Sequence, residues 1–186
     1  PKISYGGTNV EPLASIGMSY FLEPCREKFK EGFVVLDYGS GAGILCNFIS
    51  ERLEDFKYYG LEPYSEHGIG RISLGKDIFK DSRVTFGHIE NDLNLVLSES
   101  PDCIVLISVF THLVLDDIIK ILNNLIKVFD YNPNCDIVFS CFLADRQYAI
   151  NPQPHIWKNF YGNSFIQEYS IQNYCFLNNL ELTKCP

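Results

Sequence analysis

A buried strand followed directly by a glycine-rich turn and a helix is the feature that most restricts the fold of this chain. The apolar run Phe33–Tyr38 has the composition of a strand, residues 39–43 contain three glycines, and apolar positions in residues 44–53 repeat with helical spacing. Glycines permit positive φ and let a ligand lie against bare backbone, and the following helix offers free N–H groups. We therefore expect a ligand at the turn, beyond the carboxyl end of the strand.

Apolar runs of strand length recur along the chain and alternate with longer amphipathic stretches. Five runs have the composition of buried strands, at residues 33–38, 57–62, 83–86, 102–108 and 135–143. Stretches with helical spacing lie at residues 11–29 and 44–53, after Ser65, and at residues 115–129 and 165–180. Asp116 or Asp117 can cap the helix near residue 115, and residues 181–183 begin a last strand. This alternation predicts an α/β fold with a doubly wound, mostly parallel sheet and helices on both faces.

An excess of acidic side chains excludes several classes of partner. The 186 residues include 23 Asp and Glu against 15 Lys and Arg, which gives a formal net charge of −8. Such a surface repels nucleic acid and anionic membranes. No apolar run approaches the ~20 residues that a membrane span requires. We therefore expect no nucleic-acid partner and no membrane partner.

The cysteines indicate the redox environment. There are 7, an odd number, and no CxxC pair occurs. Most of them lie inside apolar runs, whereas disulfide frameworks and zinc sites need closer, regular spacings. The pattern predicts buried, reduced thiols in a cytoplasmic protein, and no metal site.

Two familiar glycine-rich loops do not fit residues 39–43. A P-loop requires GxxxxGK[ST], and no lysine follows the glycines here. A dinucleotide fingerprint requires GxGxxG, and Ile44 stands where its third glycine belongs. A tight structural turn without any ligand remains an alternative.

The segment VVLDYGSGAG, residues 34–43, fits a different pattern, in which a strand ends in an acidic residue and GxGxG follows. This resembles the first motif of class I S-adenosylmethionine-dependent methyltransferases, a Rossmann-like family that the chain resembles over most of its length. The resemblance implies S-adenosyl-L-methionine (SAM) as cofactor and S-adenosyl-L-homocysteine (SAH) as product. It also implies that Asp37 lies near the methionine amino end. The residues expected against the methionyl and ribose portions are Gly39, Ser40, Gly41 and Gly43.

Three further segments extend the resemblance. Glu62, at the tip of the second predicted strand, matches the acidic residue that binds the ribose hydroxyls, and a carboxylate can accept both diol protons. His88 and Ile89 occupy the adenine position, where either His88 or Glu90 faces the ring. The stretch SVFTHL at residues 108–113 resembles a subset of these methyltransferases. In that subset, Ser108 and Val109 correspond to residues beside the sulfonium.

The chain departs from this family in two places. Residues 129–134 replace the Leu-Lys-Pro-Gly-Gly turn that normally precedes the fifth strand, and the terminal hairpin is absent or cut off after Leu182. We therefore expect truncated C-terminal strands and, because the chain starts at Pro1, a fragment of a longer protein. We interpret residues 1–186 as one SAM-binding domain. Its parts are an N-terminal helical segment (1–32), a cofactor-binding core (33–143), a lid or substrate loop (144–164), and a C-terminal helix and strand start (165–186).

Methyl transfer needs an acceptor held in line with the sulfonium, and an oxygen or nitrogen acceptor can also need a base. Neutral histidine suits this role near pH 7. His112, just after the fourth predicted strand, is the first candidate, and His155 in the lid is the second. The leading hypothesis is a methyltransferase that acts on a small molecule, on oxygen in preference to nitrogen or carbon. The alternatives are a non-catalytic SAM-binding module of a larger assembly and an NAD-dependent Rossmann oxidoreductase.

Overall fold

A computed structural model shows a parallel α/β fold and describes residues 2–6, 27–143, 165–166 and 168–185. In this part of the chain the strands are β1 (Lys2–Gly6), β2 (Phe33–Tyr38), β3 (Phe56–Glu62), β4 (Val84–His88), β5 (Cys103–Leu106), β6 (Asp136–Ser140), β7 (Phe142–Leu143), β8 (Phe165–Ile166) and β9 (Glu181–Cys185). The helices are α1 (Ile44–Ser50), α2 (Glu66–Ile78), α3 (Ile89–Ser98), α4 (Leu115–Leu125) and α5 (Glu168–Leu177). Two 3-10 turns occupy Phe110–His112 and Ile126–Asp130.

The strand order places the glycine-rich turn at a crevice. Seven strands form one sheet in the order β4-β3-β2-β5-β6-β1-β9, and all neighbouring pairs are parallel. β7 and β8 form a separate parallel pair. The chain moves outward from β2 to β4 in one direction and from β5 to β6 in the other. The order therefore reverses between β2 and β5, and open α/β sheets bind ligands beyond the carboxyl ends of the strands at such a point.

Helices cover both faces of the sheet because its central strands are apolar on both sides. On one face, Leu45 of α1 and Ile72 of α2 pack in a cluster with Val35 of β2. On the other face, Leu122 of α4 belongs to a second cluster with Leu36 of β2. This arrangement confirms the predicted doubly wound parallel sheet.

The helix α2 forms although glycines interrupt its apolar pattern. The side chain of Ser65 caps it by accepting a hydrogen bond from the backbone N of Gly68 at 3.0 Å. Gly75 faces the ring of Phe86, and a Cβ at this glycine would lie 2.7 Å from the ring. Gly75 therefore lets α2 approach the sheet closely.

Differences from the sequence-based predictions lie mainly at the chain's ends. The prediction of a helical segment over residues 1–32 is wrong for residues 2–6, which form β1, and for residues 27–32, which lie in turns and irregular structure. β1 pairs with β6 and β9, which are distant in sequence and therefore invisible to local spacing. The strand predicted at residues 135–143 ends at Ser140, and the C-terminal helix begins at Glu168. The rest of the N-terminal helix and the 144–164 loop lie outside the described residues.

Two corrections concern helix starts. No helix was predicted after the third predicted strand, but α3 follows β4 immediately and buries Leu93, Val96 and Leu97. At α4 the capping residue is Val114, and the helix start has no side-chain cap hydrogen bond. The capping prediction for Asp116 and Asp117 is therefore wrong. Both lie in the first turn, where their charges interact favourably with the helix dipole.

The thiol prediction is confirmed where the structure describes it. Five cysteines are buried and form no disulfide: Cys46, Cys103, Cys135, Cys141 and Cys175. Within the same described ranges, no helix is both long and apolar enough to span a bilayer. No group of three or more His, Cys, Asp or Glu residues in those ranges is arranged to hold a metal ion.

Candidate functional site

The glycine-rich turn after β2 adopts backbone angles that favour glycine. Gly39, Gly41 and Gly43 have φ of 81°, 59° and 94°. The turn is tied to β3, because the backbone N of Gly39 donates to the oxygen of Leu61 at 2.8 Å. A Cβ added at Gly41 would have no described atom within 4 Å. One side of the turn is therefore open to a ligand among the residues that the structure describes.

Glu62 supports this turn from the end of β3. Its side chain is almost fully buried, and its Oε1 accepts a hydrogen bond from the backbone N of Gly41 at 2.6 Å. Its Oε2 accepts one from Nη1 of Arg71 at 3.3 Å, and the Arg71 side chain is 58% exposed. A carboxylate has about four acceptor positions, so Glu62 retains capacity for a ligand's hydroxyls. The resemblance predicts Glu62 as a ligand contact, but neither its ion pair with Arg71 nor its hydrogen bond from Gly41 was predicted.

Asp37 lies beneath the turn in a buried hydrogen-bond network. The hydroxyl of Tyr58 donates to its Oδ2 at 2.6 Å. Burial is the main cause that raises the pKa of Asp37 to about 7; the hydrogen bond from Tyr58 opposes this rise and the negative charge of Glu62 adds to it. Burial, with the charge of Asp37, raises the pKa of Tyr58 well above its usual value, so this phenol remains a donor. Ser40 is buried too, and its hydroxyl lies over Gly60, which directs it toward the sheet.

The end of β4 brings His88 beside Glu62, its register partner on β3. Its Nδ1 is buried and has no hydrogen-bond partner among the described residues. The ring of Tyr64 meets the His88 ring edge-on, with centroids 5.0 Å apart. Oε2 of Glu90 accepts a hydrogen bond from the backbone N of Tyr64 at 2.9 Å, whereas Ile89 packs against the core. Of the two residues left open for the adenine ring, His88 is thus the one with a buried ring nitrogen that has no partner among the described residues.

The segment after β5 forms the opposite wall of the crevice. Ser108 has a positive φ of 59°, and its backbone N donates to Oγ of Ser140 at 2.7 Å. A Cβ at Gly39 would lie 2.5 Å from Cγ2 of Val109, so this valine packs directly on the glycine turn. His112 ends the following 3-10 turn and is exposed. His155 lies outside the described residues.

The structure therefore brings most predicted site residues together at the carboxyl ends of β2, β3, β4 and β5. Contacts join the turn to Glu62 on one side and to Val109 on the other, while His88 pairs with Glu62. This arrangement and the parallel sheet define a class I SAM-dependent methyltransferase, an enzyme class whose cofactor is SAM.

The comparisons with known proteins give the same class. The chain belongs to the methyltransferase family, because a family model described as "Methyltransferase domain" matches residues 17–184. Membership of this family argues against the alternative of an NAD-dependent Rossmann oxidoreductase. No curated protein matches the chain in sequence.

Solved structures of low sequence identity share the fold. Magnesium protoporphyrin IX methyltransferase from Synechocystis with bound SAH has 15% identity and a TM-score of 0.56, over 87% of this chain and 68% of that chain. A cyclopropane-fatty-acyl-phospholipid synthase-like protein from Lactobacillus casei has 16% identity and a TM-score of 0.54, over 87% and 66%. Mitomycin 7-O-methyltransferase has 13% identity and a TM-score of 0.56, over 87% and 47%.

Proposed function

We propose that this protein transfers a methyl group from SAM to a small-molecule acceptor, with oxygen favoured over nitrogen or carbon as the acceptor atom. The observation that carries the proposal is the open side of the glycine turn at Gly41, directly beside the buried carboxylate of Glu62. Two of the structures with this fold are, by name, methyltransferases of small molecules, magnesium protoporphyrin IX and mitomycin. The net charge of −8 disfavours a nucleic-acid substrate.

The residues at the crevice fit the cofactor's three chemical parts. Glu62 is placed to accept the ribose hydroxyl protons, in charge-assisted bonds about twice as strong as neutral ones. The free Nδ1 of His88 and the ring of Tyr64 suit a flat, polar base such as adenine. Gly39, Gly41 and the Ser108–Val109 turn (residues 108 and 109) form the two walls for the methionyl part.

When bound, SAM supplies an electrophilic methyl group on a sulfonium. The chain's own task is then to orient the acceptor and to accept its proton. His112 is our first candidate for the base, because its 3-10 turn begins directly after Val109, which lies against the glycine turn, and because the residue is exposed. His155 is the second candidate. The buried reduced thiols fit our proposal of a cytoplasmic protein.

Turnover distinguishes an enzyme from a module that only binds the cofactor. The purified protein is incubated with SAM carrying a labelled methyl group and with panels of small phenols, alcohols, carboxylic acids and amines. We expect label transfer to a hydroxyl or carboxyl acceptor and formation of SAH in equal amount. Transfer to amines alone would refute the preference for oxygen. Tight SAH binding without transfer to any panel member would favour the non-catalytic module.

A further inference from the structure

Two buried hydroxyl groups hold the backbone of Ser108 in an unusual conformation. Its φ of 59° lies in the left-handed region, which side chains other than glycine rarely adopt. Oγ of Ser140, at the end of β6, accepts from the Ser108 N–H at 2.7 Å, and Oγ1 of Thr111 donates to the Ser108 carbonyl at 2.8 Å. Ser140 is 5% exposed and Thr111 is 6% exposed. Both backbone polar groups of Ser108 are therefore paired with side chains that have little freedom to move.

This conformation determines where Val109 lies. The left-handed residue turns the chain at the end of β5, and the next residue, Val109, places Cγ2 against the backbone of Gly39. The Ser108–Val109 turn and the glycine turn thus meet across the switch point of the sheet. Backbone held in a sparsely populated region by surrounding contacts is frequent at ligand-binding sites.

We propose that Ser140 and Thr111 are positioning residues for the cofactor: their hydroxyls hold the Ser108–Val109 turn against Gly39, and this turn forms the wall that receives the methionyl end of SAM. The inference rests on the proposed function. Neither hydroxyl contacts the ligand in this account, because each acts through the backbone of Ser108.

Loss of either hydroxyl has a specific consequence. Without Oγ of Ser140, the N–H of Ser108 loses the partner of a part-buried hydrogen bond, and a donor left unpaired in such surroundings costs stability. The turn then relaxes toward ordinary backbone angles and Val109 leaves Gly39. The ribose and adenine contacts lie on β3 and β4, on the other side of the glycine turn, and remain in place. The methionyl part of the ligand should therefore lose affinity while the adenosine part does not.

Calorimetric titration with two ligands tests this directly. SAH contains both parts, and adenosine contains only the nucleoside. For Ser140→Ala and for Thr111→Val, we expect SAH to bind about ten-fold or more weakly than to the wild type, and adenosine to bind within two-fold of it. Ser98→Ala is the matched control, because its hydroxyl, like that of Thr111, donates to a backbone carbonyl, here that of Leu95, but is exposed on α3. This control should bind both ligands as the wild type does.

A double variant separates the conformational role from any other. Glycine adopts positive φ readily, so Ser108→Gly in the Ser140→Ala background should recover most of the SAH affinity. Circular dichroism verifies that each variant is folded, and Thr111→Val decides the test if Ser140→Ala does not fold. Equal weakening of SAH and adenosine, unchanged SAH affinity, or no recovery in the double variant would overturn the proposal. Failure of the wild type to bind SAH would instead refute the proposed function.

Discussion

The buried carboxyl of Asp37 makes the stability of this protein depend on pH. Burial raises its pKa from the ordinary 3.8 to about 7, against the opposing effect of the Tyr58 hydrogen bond. Between about pH 4 and about pH 7 the folded protein keeps a proton that the unfolded chain releases. The free energy of unfolding therefore falls as the pH rises through this window, and the loss is complete above the folded-state pKa.

Asp37→Asn removes this titration while retaining an oxygen that can accept from Tyr58. A pKa difference of one unit corresponds to about 1.4 kcal/mol, and the pKa of Asp37 rises from 3.8 to about 7. The free energy of unfolding of the variant should therefore exceed that of the wild type by about 4 kcal/mol at pH 8. The gain should shrink steadily toward zero near pH 4. The same variant should bind SAM more weakly, since the methionine ammonium would lose a carboxylate near it.

The assay is urea unfolding in the absence of cofactor at pH 4.5, 6 and 8, with far-ultraviolet circular dichroism as the readout. Asp130→Asn controls for the change in net charge, because Asp130 is exposed at the end of a 3-10 turn. A difference between Asp37→Asn and the wild type that stays constant from pH 4.5 to 8 would refute the reasoning. So would a variant that is less stable than the wild type at pH 8.

Three further predictions concern the crevice. Glu62→Gln should weaken SAH binding in calorimetry by about 1–2 kcal/mol, because a neutral amide replaces a charged acceptor. Unchanged SAH affinity would mean that the ribose binds elsewhere. The same substitution should also lower the unfolding temperature, since the backbone of Gly41 and the side chain of Arg71 both donate to Glu62. Gly41→Val should abolish SAH binding while circular dichroism shows a folded protein, because the side chain would enter the open space beside the turn at a φ of 59°; wild-type affinity in the folded variant contradicts this. His112→Ala should lower kcat about 10²–10⁴-fold with near wild-type SAM affinity; full turnover of the variant excludes His112 as the base.

The sequence predicted those parts of the fold whose signal is local. β2, the glycine turn and α1 follow one another within 18 residues, and each has its own pattern. α3 was missed although Leu93, Val96 and Leu97 are spaced as on one helical face. β1 was missed for a different reason, because it is a strand only through its pairing with β6 and β9.

In the candidate site, too, only the features with a local sequence signal could be predicted. Glu62 and the glycines were predicted as site residues from motifs, whereas the bond from Gly41 to Glu62 depends on two segments that meet only in the folded sheet. The contact between Ser108 and Ser140 spans 32 residues and two strands, so local spacing contains no sign of it. The alternation of β2 side chains between the two faces of the sheet could also have predicted the position of Asp37. Phe33 and Val35 face the α1–α2 side, and the same parity places Asp37 under the turn with Tyr58.

The central claim is that SAH binds across the glycine turn with its ribose on Glu62. A crystal structure of the protein with SAH tests this most directly. We expect both ribose hydroxyls within about 3 Å of the Glu62 carboxylate oxygens, adenine beside His88, and the sulfur next to the Ser108–Val109 turn. SAH bound elsewhere, or bound here with its ribose away from Glu62, would contradict the account.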